Sequence, residues 1–277
     1  MNKFKYKVLN LLDSHFHWIL NLYFYGQYLK FDKSILEKNK KISQIRKRER
    51  AFILATGPSI KLENLKLLEG EDCFSVSNFY LHEDLDIISP KLHFFAPYHA
   101  PLILENYVEW LRQADKLLPV STKIVLGHST LSIVKDNNLF PNREVFYIYL
   151  SPTNTNNIDL TKRVRSPQTG PIMILPVLIY MGYKEIYLLG CDHNVLKDYK
   201  SEVRNFYEAK IDVRKNATDK TGWLDIISEI KSTLNVFLQY DSYRLIARKY
   251  NVDIYNLSND SWLEVFDLKN LKEVLKK

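Results

Sequence analysis

The feature that most restricts this chain is the punctuation of its apolar runs. Ala51–Thr56 is short and apolar and ends in Gly57–Pro58–Ser59, the pattern of a buried strand entering a tight turn. Cys73–Ser77, Leu92–Ala96, Lys123–Leu126, Val145–Leu150, Glu185–Leu189 and Val252–Leu257 read as further strands. Helical stretches lie between them. Leu102–Leu118 is the clearest, Pro171–Met181 reads as a buried helix closed by Gly182, and Trp223 to about Tyr250 is the longest. In that last helix Ile227, Ile230, Leu234, Phe237 and Leu238 form one apolar stripe at helical spacing. A helix from about Ser59 to Leu68, with Ser59 as its N-cap, is expected after the first run. Strands alternating with helices imply a mostly parallel sheet covered on both faces. The expected fold class is α/β, a single Rossmann-like domain over 50–277. Residues 193–222 are polar and weakly periodic, which marks a lid or a disordered loop.

Charge separates the first 50 residues from the rest. They hold 12 basic and 4 acidic side chains, whereas the chain as a whole carries a formal net charge of +7. The body is therefore nearly neutral, and no nucleic-acid motif accompanies the basic balance. Residues 1–49 read as an N-terminal helical extension in two parts. Between Ser14 and Leu29 no acidic or basic residue occurs (histidines apart), and Trp18, Leu22, Tyr23, Phe24, Tyr25 and Tyr28 crowd the stretch. Lys38, Lys40, Lys41, Arg46, Lys47, Arg48 and Arg50 then follow. The first part is too short and polar for a spanning helix and lacks the small-residue site of a signal peptide. An aromatic helix beside a basic cluster suits an anionic membrane surface, and equally a helix packed on the domain with a solvated charge run. A 46% apolar, 26% charged composition excludes disorder and a multi-span membrane protein. Two cysteines, Cys73 and Cys191, build no disulfide framework, which fits a cytoplasmic chain, peripheral on the inner membrane face if the extension docks there.

Ligands of an open parallel sheet bind beyond the carboxyl ends of its strands, and three polar clusters fall on that edge. Thr56–Gly57–Pro58–Ser59 offers a bare backbone and a helix start, suited to a phosphate-bearing ligand; it is not the dinucleotide fingerprint, and a plain strand-to-helix turn explains it too. Ser77 and Asn78 end the second strand, able to bind a ribose or base or to cap the next segment. Thr169–Gly170 starts a helix, and Gly190–Cys191–Asp192–His193 follows the next strand. His193 is there a candidate general base, and His99 ranks second on position. No metal-ligand spacing, DxD pair, GxSxG or Walker motif occurs.

In their order, a strand ending in GPS, a strand ending in SNFY, a TG-started helix running into GYKEIYLLGCD, and a late strand resemble bacterial sialyltransferases of glycosyltransferase family 42. They also resemble surface-polysaccharide proteins related to methanopterin-diphosphokinase-like and flagellin-modifying enzymes. The likeness covers about residues 50–257 and is most specific over Thr169–Asp192. It implies a GT-A-variant, sialyltransferase-like fold and a CMP-sugar donor held without an obligatory metal cofactor. On that resemblance Gly57, Pro58 and Ser59 approach the phosphate or ribose, and Ser77 and Asn78 bind the nucleotide. Thr169 and Gly170 contact phosphate or donor sugar, Gly190, Cys191 and Asp192 line the cytidine pocket, and 193–222 is the lid, with Tyr199 and Tyr207 assisting phosphate departure. The family's catalytic histidine follows a glycine ahead of the late helix, where this chain reads Thr221–Gly222–Trp223. His193 or His99 takes that role, or the chemistry differs.

The implied activity is an inverting glycosyltransferase that moves a sialic acid-like or other acidic sugar onto a hydroxyl of a cell-surface glycan, as in lipopolysaccharide or capsule synthesis. The alternatives are a diphosphokinase-like phosphotransferase needing ATP and Mg²⁺, with Asp192 as the one strong metal candidate, and a non-catalytic nucleotide-binding relative. Expected partners are the nucleotide sugar, the glycan acceptor and, through residues 1–50, an anionic membrane; a homo-oligomer is open, and nucleic acid is not expected.

Overall fold

The computed structural model describes residues 19–99, 102–153, 155–197, 203–214 and 225–276. Ten short strands occur among them, in chain order β1 (Arg50–Leu54), β2 (Asp72–Val76), β3 (Leu92–Phe94), β4 (Lys123–Gly127), β5 (Val145–Ile148), β6 (Leu150–Ser151), β7 (Val164–Arg165), β8 (Glu185–Leu189), β9 (Asp253–Asn256) and β10 (Asp267–Leu268). Eight of them form one sheet in the order β10-β9-β8-β1-β2-β3-β4-β5, with every pairing parallel. β6 and β7 pair separately. The run expected over Val145–Leu150 therefore breaks at Tyr149, where the chain leaves the main sheet. This is the α/β, Rossmann-like parallel-sheet domain that the alternating pattern implies.

Helices cover both faces. α6 (Gly170–Met181) and α7 (Ile226–Lys249) lie on one; α4 (Leu104–Leu117), α5 (Leu131–Asp136) and α8 (Leu271–Leu275) lie on the other. α1 (19–30), α2 (Lys33–Glu37) and a 3₁₀ stretch over Lys38–Ile45 precede β1, and α3 (Leu85–Ile88) follows β2. α6 is apolar all round because it is buried all round, and it stops at Gly182, whose φ of +82° is the left-handed cap expected there. α4 buries Tyr107, Trp110, Leu111 and Ala114, one stripe at helical spacing.

Three expectations need correction. Of the apolar stripe of α7 only Phe237 packs against the core: Ile227, Ile230, Leu234 and Leu238 are 49–61% exposed, and Val236, Tyr240, Tyr243, Ile246 and Ala247 are buried instead. Two tyrosine rings and the short Ala247 fit against α6 and the sheet, which turns the aliphatic row outward. The helix expected over Ser59–Leu68 is two 3₁₀ turns, Pro58–Leu62 and Leu65–Leu68. Ser59 is not its N-cap, because Gly57 holds that place and the Ser59 side chain is engaged elsewhere. Finally, the aromatic and basic parts of the extension separate. Tyr28 of α1 and Phe31 just after it pack on Tyr149 past the carboxyl end of β5, whereas Arg46, Arg48 and Arg50 contact Gly182, Gly70 and Glu71 at the amino edge. Between them Leu36 and Ile42 enter the core, and Asn39 Nδ2 donates to the Tyr147 and Leu160 carbonyls at 2.8 Å.

The amino edge is tied by Asp72, which is fully buried. Its carboxylate accepts from Tyr183 Oη (2.6 Å) and the Lys47 and Arg48 amides, and Lys91 Nζ lies 3.1 Å away. Burial pushes this carboxyl up, but these donors outweigh it and the net shift is downward.

Candidate functional site

The strand order turns back at β1: β1 to β5 step one way and β8 to β10 the other. The crevice for a ligand in such a sheet lies beyond the carboxyl ends at that reversal. Two of the predicted turns meet there, and they meet tightly. The Gly57 amide donates to the Gly190 carbonyl at 2.9 Å. A Cβ on Gly57 would fall 2.5 Å from that oxygen and 2.7 Å from Asp192 Cγ, so only glycine fits. Gly190 itself has φ of +68°. Asp192 then accepts the Ser59 amide on Oδ2 at 2.9 Å and the Ser59 hydroxyl on Oδ1. Burial pushes the Asp192 carboxyl up, opposed by the two bonds from Ser59. The donor group that could have met a phosphate at Ser59 is thus occupied by the chain's own carboxylate. Cys191 is held from behind: its amide donates to Ser258 Oγ and its carbonyl accepts from Ser261. Burial pushes its thiol up, away from thiolate chemistry.

One strand further on, the turn after β2 is arranged differently. Ser77 takes φ of +60°, unusual for serine, and its carbonyl is 2.9 Å from Nε2 of the fully buried His93. Ser75 Oγ holds the other ring nitrogen at 2.7 Å. Burial lowers the His93 pKa to about 3, so the ring is neutral. Asn78 is buried, and its Oδ1 accepts from the Trp110 indole. Its Nδ2 lies near the Tyr207 hydroxyl without forming a hydrogen bond.

α6 brings the fourth turn to the same place. A Cβ on Gly170 would meet Val76 Cγ2 at 2.6 Å, so the helix start rests on the last residue of β2. Thr169 takes the N-cap position with no side-chain capping bond and is half-buried. Gln239 of α7 positions this start: its Oε1 accepts the Gln168 amide and its Nε2 donates to the Ser166 carbonyl. The partial positive charge of a twelve-residue helix is therefore directed at the carboxyl edge. Gly57, Asn78, Gly170 and Asp192 all lie along three neighbouring strands, roughly 10 Å across.

Residues 203–214 fold over this edge. The Phe206 amide donates to the Thr56 carbonyl and Thr56 Oγ1 to Asn205 Oδ1, each at 2.9 Å. The Phe206 ring packs on Phe79 and His82. Tyr207 Oη donates to Asp212 Oδ2 at 3.3 Å, and burial pushes its pKa up to about 12. Arg214 pairs with Asp212 at 2.5 Å and stacks its guanidinium 4.3 Å from the Trp110 ring centroid. Tyr199, and Thr221–Gly222–Trp223 with it, lie outside the described residues.

The two candidate bases are not brought together. His193, with φ of +47°, turns under α7, where its Nε2 is 2.9 Å from Tyr240 Oη and its ring meets Phe237. Burial lowers its pKa to about 4. His99 is exposed beyond β3, three strands from β8, and its carbonyl accepts the Leu102 amide. Sequence reading missed Asn205, Asp212, Arg214 and Tyr240. None carries a periodic or motif signal, and each becomes visible only through a partner more than 30 residues away or through a fold-back of its own segment.

A cleft of about 470 Å³ opens on the same edge, between α1 and the loops after β4 and β5. Tyr23, Gln27, Lys30, Phe31, His128 and Tyr149 are among its lining residues. His128 Nδ1 accepts the Leu150 amide at 3.2 Å, so its proton sits on Nε2, and its ring stacks on Tyr149 with centroids 3.8 Å apart. Among the described residues no group of three or more histidine, cysteine or acidic side chains could hold a metal ion.

No protein-family model matches this sequence, and no curated protein matches it. Among solved structures the chain is similar to the sialyltransferase CST-II in complex with a trisaccharide acceptor and CMP. The match covers 79% of this chain and 85% of that one, at 18% identity and a TM-score of 0.43. A point mutant of the alpha-2,3/8-sialyltransferase CstII is similar over 79% and 86% of the two chains, at 18% identity and a TM-score of 0.41.

Proposed function

We propose that this chain is an inverting glycosyltransferase that moves an acidic sugar from a CMP-activated donor to a hydroxyl of a cell-surface glycan. The observation that carries the reading is the edge over β8, β1 and β2. There Asn78 Nδ2 is buried without a partner, Thr169 makes no capping bond at the α6 N-terminus, and residues 203–214 fold over the edge. The wording of Thr169–Asp192 supplies the nucleotide class. Donor phosphate lies at the Thr169–Gly170 helix start, and Asn78 and Ser77 hold the nucleoside. Tyr207 Oη exchanges its bond to Asp212 for one to the departing phosphate, with Arg214 beside it to offset the charge.

In the reaction the acceptor oxygen forms a bond to the anomeric carbon on the face opposite the phosphate, and the carbon–oxygen bond to phosphate breaks. The hydroxyl proton passes to a base, and CMP leaves with the bonding pair. His193 is our base: burial keeps it neutral at pH 7, and Tyr240 orients its ring. A thermal-shift panel of CMP, UDP, GDP and ATP with Mg²⁺ tests the reading. Stabilisation by CMP above the others is expected; stabilisation by ATP with Mg²⁺ alone, or by none, overturns it.

A further inference from the structure

The outward row of α7 has no counterpart inside the protein. Ile227, Ile230, Leu234 and Leu238 recur at helical spacing on the side opposite Tyr240 and Tyr243, and the row continues to Leu245. A globular helix normally turns such a row inward. α1 does the same on a smaller scale: Tyr28, with Phe31 just after the helix, packs half-buried on Tyr149, while Leu22 and Leu29 are each 60% exposed.

The two helices border one short strand, β7. Arg163 at one end of this segment holds its guanidinium 4.8 Å from the Tyr25 ring centroid of α1. Arg165, two residues on, lies 3.5 Å from Ser242 Oγ of α7. Arg163 and Arg165, both part-exposed, thus lie between the helices that carry the two exposed aliphatic rows. The nearby carboxylates are already neutralised: Asp159 pairs with Lys162 at 3.0 Å and Asp241 with Arg244 at 2.6 Å.

Beside α1 lies a cleft of about 360 Å³ lined by Asn21, Leu22, Tyr25 and Arg163. Arg163 Nη1 is buried there without a hydrogen-bond partner. A guanidinium edge left unsatisfied costs free energy unless an anion meets it. Apolar walls around one such cation match a phosphate group attached to an apolar chain.

We propose that this face docks on an anionic phospholipid bilayer, with the aliphatic rows of α7 and α1 entering the interface and Arg163 receiving a lipid phosphate. No helix among the described residues is long and apolar enough to cross a membrane, so the contact lies along the surface. The charge pattern selects lipid over a second copy of the chain, because self-pairing would set the Arg163–Arg165 pair against its own likeness. The inference stands apart from the nucleotide reading.

Flotation of the full chain with vesicles tests it, using phosphatidylcholine alone and phosphatidylcholine with about a third phosphatidylglycerol. The chain should partition onto the anionic vesicles and about tenfold less onto the neutral ones. Leu234→Glu with Leu238→Glu, and separately Leu22→Glu with Leu29→Glu, should each lower partition about tenfold or more. Arg163→Gln should lower it several-fold, and Arg163→Lys should retain most of it. These positions lie outside the nucleotide edge, so the CMP thermal shift should be unchanged in every variant that keeps its circular dichroism. No vesicle binding, equal binding to both compositions, or loss with the α1 pair alone overturns the proposal. So does a dimer by light scattering that Leu234→Glu with Leu238→Glu dissolves, because a second copy would then cover the row.

Discussion

The turns after β1 and β2 are neighbours on one edge, yet one satisfies its own polar groups and the other leaves a buried donor unpaired. After β1, Gly57, Ser59, Gly190 and Asp192 satisfy one another, and the glycine that looks made for a ligand is filled by a carbonyl and a carboxylate. After β2, Asn78 keeps an amide donor with no partner, beside a helix start that caps nothing. The conspicuous glycine motif is the seam that holds β1 to β8, and the plainer turn keeps the unpaired donor. A glycine marks close approach. What approaches is decided by the rest of the chain.

Substitutions can break this contrast. Gly57→Ala should be the most damaging, because the new methyl meets backbone oxygen that cannot move aside; a loss of about 3 kcal/mol is expected in denaturant unfolding. An unchanged midpoint would mean that the seam is loose. His193→Ala should lower turnover about 10²-fold with a smaller effect on donor affinity. If His193 is the base, the acidic limb of kcat should fall near pH 4, where burial places its titration, and not near 6.5. A limb near 6.5 that survives in His193→Ala assigns the base elsewhere.

Next in size is the acid response of His93, whose neutral ring bridges Ser75 and Ser77 beneath the turn after β2. Burial places its folded pKa near 3, below the ~6.5 of an unfolded chain, so the unfolded state binds the extra proton between those values. Its contribution is therefore complete above pH 6.5 and declines as pH falls, by about 2 kcal/mol at pH 5. Unfolding midpoints at pH 7 and pH 5 in wild type and His93→Gln measure it; equal slopes would remove His93 from the account. The smallest effect sharpens the comparison. Asn78→Asp keeps the oxygen that Trp110 needs but replaces the free donor with negative charge, and should weaken CMP binding about tenfold. Asp192→Asn should instead lower stability and leave CMP affinity within about threefold, since its carboxylate serves Ser59.

Much of the framework is legible in the chain. Glu185–Leu189 spans β8 residue for residue, and Pro171–Met181 with Gly182 outlines α6, because a continuous apolar run ended by glycine leaves few alternatives. The α7 row at Ile227–Leu238 shows where this legibility stops. Periodicity identifies a helix with an aliphatic face, but the sheet accepted the face bearing Tyr240 and Tyr243, whose rings fill more space. The site divides in the same way. Thr56–Ser59, Ser77–Asn78, Thr169–Gly170 and Gly190–Asp192 are readable as strand ends, whereas Arg214, Asp212 and Asn205 belong to a segment with no period to read.

The sequence by itself determined the alternation of strands and helices, and with it which turns share the carboxyl edge, because hydrophobic period and turn chemistry are local properties. Only the tertiary structure decided which of those turns is satisfied from within and which keeps a buried donor unpaired. It also decided which helix face turns outward and that the basic cluster before β1 lies on the opposite edge from α1. Each of these outcomes depends on distances between residues far apart in the chain, which no local pattern encodes.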